Sequence, residues 1–459
     1  MPDLLPHRSE PVVRRDQGVL DPNGHADTRR FHGGIGSLDL LRALRNSRQK
    51  RRPLSLNVQF PPRLSGAAVD AGASYLRRLE REIDLVGCHL GPEQRIEQFH
   101  LGGGTPEAAQ LQRLMQHLRQ RFHFLEHDCG DYSIDVDLHP TDWATMGLLR
   151  EQGFNQVNIG VPDIGSDSQL SVACYQDPAP IHSLIDAART FGYRSVNVDL
   201  GYGHAWQTPS SFASKLGTLI ELEPDRLQVF DYAQPPLRYR RQSQERPAAA
   251  CSQEAKETMR RICFERLLAA GYQYIGLGQF VRPDDDLMMA QERGRLRRNC
   301  QGFTCHGYCD HVGFGLGAIS QFDELYTQNS ELLDDYLQQL DLGQLATRRG
   351  WRCEGGDQVR QLVMERLACD LELDILAIES RYGLIFRQYF ASAWLRLQQL
   401  SWNGLVELSE RFISILPAGR LEVDSICQLF QEDLDSPGHG PCADRQDGGH
   451  NSPPHPGQA

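Results

Sequence analysis

"IEQFHLGGGTPEAAQLQRLMQHLRQRF", residues 96–122, reads as one complete structural repeat. It opens as a short apolar strand and breaks on Gly102-Gly103-Gly104. Leu111, Leu114, Met115 and Leu118 then recur at helical spacing. The glycines allow a close approach to the backbone. Thr105 suits the N-cap of the following helix and Pro106 its first turn. A helix start with free N–H groups favours a carboxylate or phosphate. No Lys follows where a Walker-type phosphate loop needs one, so that reading is excluded.

The same strand-turn-helix unit recurs along the chain. Further strands read "LSLNVQF", "YSIDVDL", "QVNIGV", "SVNVDLGYG" and "LQVFDYA". The helices between them include "SYLRRLEREIDLVG", "WATMGLLREQGF", "IHSLIDAARTFG" and "SSFASKLGTLIEL". About six such units predict parallel strands joined by right-handed crossovers. A doubly wound sheet and a full or partial β/α barrel both fit that pattern. Asp135, Asp137, Asp199 and Asp231 end strands or lie just inside their ends, where α/β folds line their ligand crevice. A single such aspartate reads as a cap; several at equivalent places point to a site.

The flanks differ in character. Residues 1–50 are expected to form a poorly ordered arm, apart from a helical stretch at "SLDLLRALRNSRQ". Residues 51–330 hold the strand-helix units, and residues 331–433 read as a smaller, mostly helical domain. The Pro/Gly/His/Asp-rich tail over 434–459 is expected to be disordered.

Composition narrows the class. A 459-residue chain with 40% hydrophobic and 24% charged residues is ordinary for a globular protein. A net charge of −12 argues against broad nucleic-acid binding. No apolar run reaches membrane-spanning length, and the first residues lack a secretory core. The expectation is a cytoplasmic monomer whose 12 cysteines are reduced.

The most unusual segment is "GLGQFVRPDDDLMMAQERGRLRRNCQGFTCHGYCDHVGFGLGAIS", residues 276–320. It concentrates Arg282, a triple aspartate, Arg295, Arg297 and Arg298, then Cys300, Cys305 and Cys309 with His306 and His311. Cys-x4-Cys-x3-Cys is a candidate for a soft metal or a cluster. The spacing departs from paired Cys-x-x-Cys knuckles, so chance clustering is the competing reading.

Together with "GGGTP", "LREQGFNQVNIGV", "NVDLGYG" and "PDRLQVFDYA", the stretch "GLGQFVRPDDDLMMAQERGRLRRNCQGF" resembles the oxygen-independent coproporphyrinogen III oxidases, which are radical S-adenosylmethionine enzymes. The resemblance runs from about Pro53 to Ser320 and continues more weakly beyond. It implies a partial (β/α)6 barrel of the radical S-adenosylmethionine type with a mostly helical C-terminal domain. It also implies a loop after the first strand carrying Cys-x3-Cys-x2-Cys, whose thiolates hold a [4Fe–4S] cluster that chelates S-adenosylmethionine.

Here the three cysteine positions match Pro61, Ser65 and Ala68. Proline and alanine offer no ligand atom, and a neutral serine is a poor substitute for thiolate. By the same resemblance a cofactor-contacting tyrosine matches Ser55, a loop aromatic Ala67, a glutamate Asp135, a glutamine Pro162 and an arginine Cys174. Gly103, Gly104, Thr105, Asp199, Ala233 and Ile319 are kept. With Asp135, these form the expected, vestigial cofactor-binding set. The expected function is a non-catalytic relative in porphyrin and haem metabolism that binds a tetrapyrrole or a partner protein. The alternative is an active oxidase, converting coproporphyrinogen III to protoporphyrinogen IX, with a cluster relocated to Cys300, Cys305 and Cys309.

Overall fold

The computed structural model describes residues 28–60, 70–126, 129–138, 141–160, 179–233 and 251–432. The strands in chain order are β1 (Leu54–Gln59), β2 (Arg95–Gly102), β3 (His123–Phe124), β4 (Asp131–Val136), β5 (Gln156–Ile159), β6 (Ser195–Tyr202) and β7 (Arg226–Asp231). They are followed by β8 (Gln273–Gly276), β9 (Gln279–Val281), β10 (Arg297–Asn299), β11 (Gly302–Thr304), β12 (Asp310–Gly315), β13 (Ile319–Phe322), β14 (Leu325–Asn329) and β15 (Thr347–Arg352).

One large sheet runs β15-β14-β13-β12-β1-β2-β4-β5-β6-β7-β9-β8, with β3 on the side of β2. Every neighbouring pair from β12 to β7 is parallel. Strands β1, β2 and β4–β7 lie in sequence order. A doubly wound sheet reverses its order midway; this one does not. All connecting helices therefore fall on one face, which settles the open choice in favour of a partial barrel.

Side-chain alternation explains the two faces. One face carries Leu56, Val58, Phe99, Leu101, Ile134, Val136, Val157, Val198 and Leu227. These pack with helix residues such as Leu79, Ile83, Leu114 and Leu216 into the main core. The other face carries Ser55, Asn57, Gln98, His100, Ser133, Asp135, Asn158, Asn197, Asp199 and His311, aligned across the strands by the register. Parallel sheets are normally apolar on both faces.

Two details differ from the sequence reading. Thr105 is not the N-cap of the helix Ala108–Arg121: Glu107 holds that position, without a side-chain cap. In the arm, the expected helical stretch forms helix Ser37–Lys50, which buries Leu40 and Leu44 in the main core. Beyond residue 330, β15 pairs with β14, and Arg78 binds Asp341 of the helix Leu333–Asp341 at 2.7 Å. These residues extend the barrel. A second core gathers Val363, Leu367, Phe386, Phe390, Ile413 and Phe430. It is built on helices and a small sheet of β16 (Glu372–Asp374), β17 (Val406–Leu408) and β18 (Phe412–Ile415). The tail over 434–459 and the first 27 residues lie outside the described residues.

Candidate active site in the barrel interior

The polar face of the sheet is a hydrogen-bonded lattice. Ser55 Oγ lies 2.9 Å from Gln98 Oε1 and 3.1 Å from His311 Nδ1. His100 Nδ1 is 2.9 Å from Ser133 Oγ, and its Nε2 is 3.5 Å from Asp135. Asn158 donates to Asp135 at 2.9 Å, and Asn197 donates to Asp199 at 3.0 Å. The hairpin β10–β11 closes over the amino end, where Asn299 and Thr304 reach Gln98 at 3.2 and 3.3 Å. Burial, together with the nearby His100, pushes the His311 imidazole down to about 3, so it is neutral, and its Nε2 has no hydrogen-bond partner among the described residues.

The sequence-derived set divides in two. Asp135 and Asp199 face this interior. Gly103 and Gly104 adopt φ of 94° and 129°. A Cβ on Gly103 would sit 1.7 Å from the Phe60 carbonyl oxygen, so this glycine serves the approach of β1 to the turn. Thr105 is buried, and its hydroxyl accepts from the Asp137 N–H at 3.3 Å. Ala233 is exposed and donates its N–H to Asp231 at 2.8 Å. Asp231 is itself held by Lys256 at 2.8 Å. Ile319 packs with Phe31, Cys300 and Tyr326. Pro61, Ser65, Ala67, Ala68, Pro162 and Cys174 lie outside the described residues.

The cationic stretch is largely used in building. Asp285 caps the helix Asp286–Glu292 and pairs with Arg226 at 2.7 Å. Arg297 lies 3.5 Å from Asp370, and the buried Arg298 stacks over Phe303. Leu287, Met288 and Leu296 pack on Cys369 of the C-terminal core helix. The segment thus packs the barrel against the C-terminal unit.

The sequence reading missed Asn57, Gln98, His100, Ser133, Asn158 and Asn197. Their signal is the strict polar–apolar alternation in "LSLNVQ", "YSIDV" and "SVNVD", which is unusual in strands flanked by parallel neighbours on both sides.

Comparison with known proteins fits this geometry. The oxygen-independent coproporphyrinogen III oxidase of Pseudomonas aeruginosa is 46% identical over 88% of this chain and 91% of its own. The chain belongs to the oxygen-independent coproporphyrinogen III oxidase family. The family's Escherichia coli member is 36% identical over 87% of this chain and 90% of its own. The solved structure described as coproporphyrinogen III oxidase (HemN) from Escherichia coli, a radical SAM enzyme, superposes with a TM-score of 0.77 over 88% of this chain and 95% of its own. The HemN C-terminal domain model matches residues 356–421, where the second core lies.

Membership of this family carries the expectation of S-adenosylmethionine and a [4Fe–4S] cluster. The residues that the resemblance places at the cluster positions do not fit it. Pro61 and Ala68 have no ligand atom. Among the described residues, Cys300, Cys305 and Cys309 do not converge either. Cys300 is buried against Phe31 and Tyr326, Cys305 Sγ points to the Asp286 carbonyl at 3.6 Å, and Cys309 lies beside Glu97 and His306. Among the described residues no helix is long and apolar enough to cross a membrane.

Proposed function

We propose that this protein is a coproporphyrinogen III oxidase-like protein of porphyrin metabolism that binds a tetrapyrrole without turning it over. One observation carries the reading. The chain superposes on the family's solved structure over 88% of its length, while the resemblance puts Pro61, Ser65 and Ala68 at the three thiolate positions. Without thiolates, no cluster offers an open iron to S-adenosylmethionine. Ser55 strengthens this. It stands where the family places a cofactor-contacting tyrosine, and its hydroxyl is already engaged by Gln98 and His311.

Two measurements on the purified protein test it. Anaerobic reconstitution with iron and sulfide is expected to leave no stoichiometric iron or acid-labile sulfide. Titration with coproporphyrin III is expected to quench the protein's fluorescence saturably. Reductive cleavage of S-adenosylmethionine after reconstitution would establish the alternative, an active oxidase with a relocated cluster. Absence of porphyrin binding would remove the tetrapyrrole reading.

A further inference from the structure

At the amino end of the barrel strands, beside the hairpin that closes over the interior, Glu97, His306 and Cys309 come together. One carboxylate oxygen, one imidazole nitrogen and one sulfur lie within 4.8 Å of one another. We infer that this is a binding site for a borderline divalent cation, zinc by its donor chemistry, that clamps the β11–β12 connection to the barrel floor.

Three independent features build it. The first is a bulge in β2. Leu54 of β1 pairs with Ile96, and Ser55 pairs with Gln98, so Glu97 is the extra residue. A bulged residue leaves the alternation of its strand and is re-aimed. The second is the turn "HGYC", in which the Cys309 N–H bonds the His306 carbonyl at 3.0 Å. A Cβ on Gly307 would lie 2.3 Å from Arg297 Cβ, so the turn is pressed tightly on the β10–β11 hairpin. The third is the orientation of the imidazole. His306 Nε2 is 2.8 Å from Asp131, and Nδ1 faces Glu97 at 3.6 Å. Metal-bound histidines characteristically give their second ring N–H to a carboxylate, leaving the other nitrogen for the ion.

Sulfur, imidazole and carboxylate together select zinc over magnesium or calcium. Three protein ligands leave a fourth position for water or for the Tyr308 hydroxyl, which already contacts Glu97. Active sites of barrels lie at the carboxyl ends of the strands, and the opposite end serves stability. The ion is therefore structural, and its binding is independent of whether the interior takes a tetrapyrrole.

The test uses tag-free full-length protein stripped with a chelator. Calorimetric titration with zinc is expected to show stoichiometric binding and to raise the thermal midpoint. Cobalt is expected to give thiolate-to-metal charge-transfer absorption. Cys309→Ser should abolish that band, and His306→Ala should weaken binding roughly a hundredfold. Asp131→Asn should weaken it about tenfold. Cys305→Ser, whose sulfur points to the Asp286 carbonyl, should change neither. The inference is overturned if folded, unaltered protein takes up no zinc, or if zinc and cobalt bind unchanged in folded Cys309→Ser and His306→Ala. Where a variant does not fold, the unaltered protein's titration and cobalt spectrum decide alone.

Discussion

Gly103 shows how little room the interior leaves at single positions. Its φ of 94° is one that L side chains rarely adopt, and a Cβ would overlap the Phe60 carbonyl. Gly103→Ala is expected to cost roughly 3 kcal/mol in urea unfolding. A change below about 0.5 kcal/mol would show that the turn relaxes freely. Asp285 is the second such position. It is buried, caps a helix and holds Arg226. Asp285→Ala leaves the guanidinium unpaired and uncaps the helix, at an expected cost of about 3–5 kcal/mol. Replacing both partners by apolar residues, Arg226→Met with Asp285→Leu, should recover part of it.

At the scale of elements, the proposed function rests on the residue types that follow strand β1. If thiolates are what is missing, Pro61→Cys, Ser65→Cys and Ala68→Cys together should restore uptake of iron and sulfide. The unaltered chain should take up none. The triple variant is not expected to cleave S-adenosylmethionine, because Ser55 is one of several replaced cofactor contacts. Equal iron content in the two proteins would sink the explanation. The strand-helix units were legible in the sequence because each writes its own periodicity. The residue types that the resemblance places in the cluster loop were also readable, and the reconstitution experiment tests what they imply. The choice of barrel over doubly wound sheet was not legible from periodicity, since strand order is a long-range property; the resemblance supplied it. The Glu97–His306–Cys309 group escaped for the same reason. Glu97 lies far from His306 and Cys309 in sequence, and a bulge, invisible to a period-two pattern, turns it out of its strand.

For the whole molecule, Glu82 is the joint. It lies on the helix Asp70–Gly87, is 2% exposed, and accepts hydrogen bonds from the Gly315 N–H, Asn329 and the Tyr336 hydroxyl. It thereby ties that helix to β12, β14 and the helix Leu333–Asp341. Burial pushes its carboxyl up to about 7, against the hydrogen bonds that favour the charged form. Between the ordinary carboxylate range and that value the native state holds more protons than the unfolded chain. Stability therefore falls as pH rises through this window, by roughly 3 kcal/mol in all, and the loss is complete above about 7. Denaturant unfolding on either side of pH 7 measures this. Glu82→Gln should flatten the slope; an unchanged slope would assign it to other groups.

The parallel pairing of β1 with β12 also bears on biosynthesis. The first barrel strand ends at Gln59, yet one of its two neighbours begins only at Asp310. As the chain leaves the ribosome, β1 must wait through most of translation with one edge open, a standing invitation to pair with a neighbouring nascent chain. Chains halted before β12 should therefore precipitate, whereas release just beyond it closes that edge.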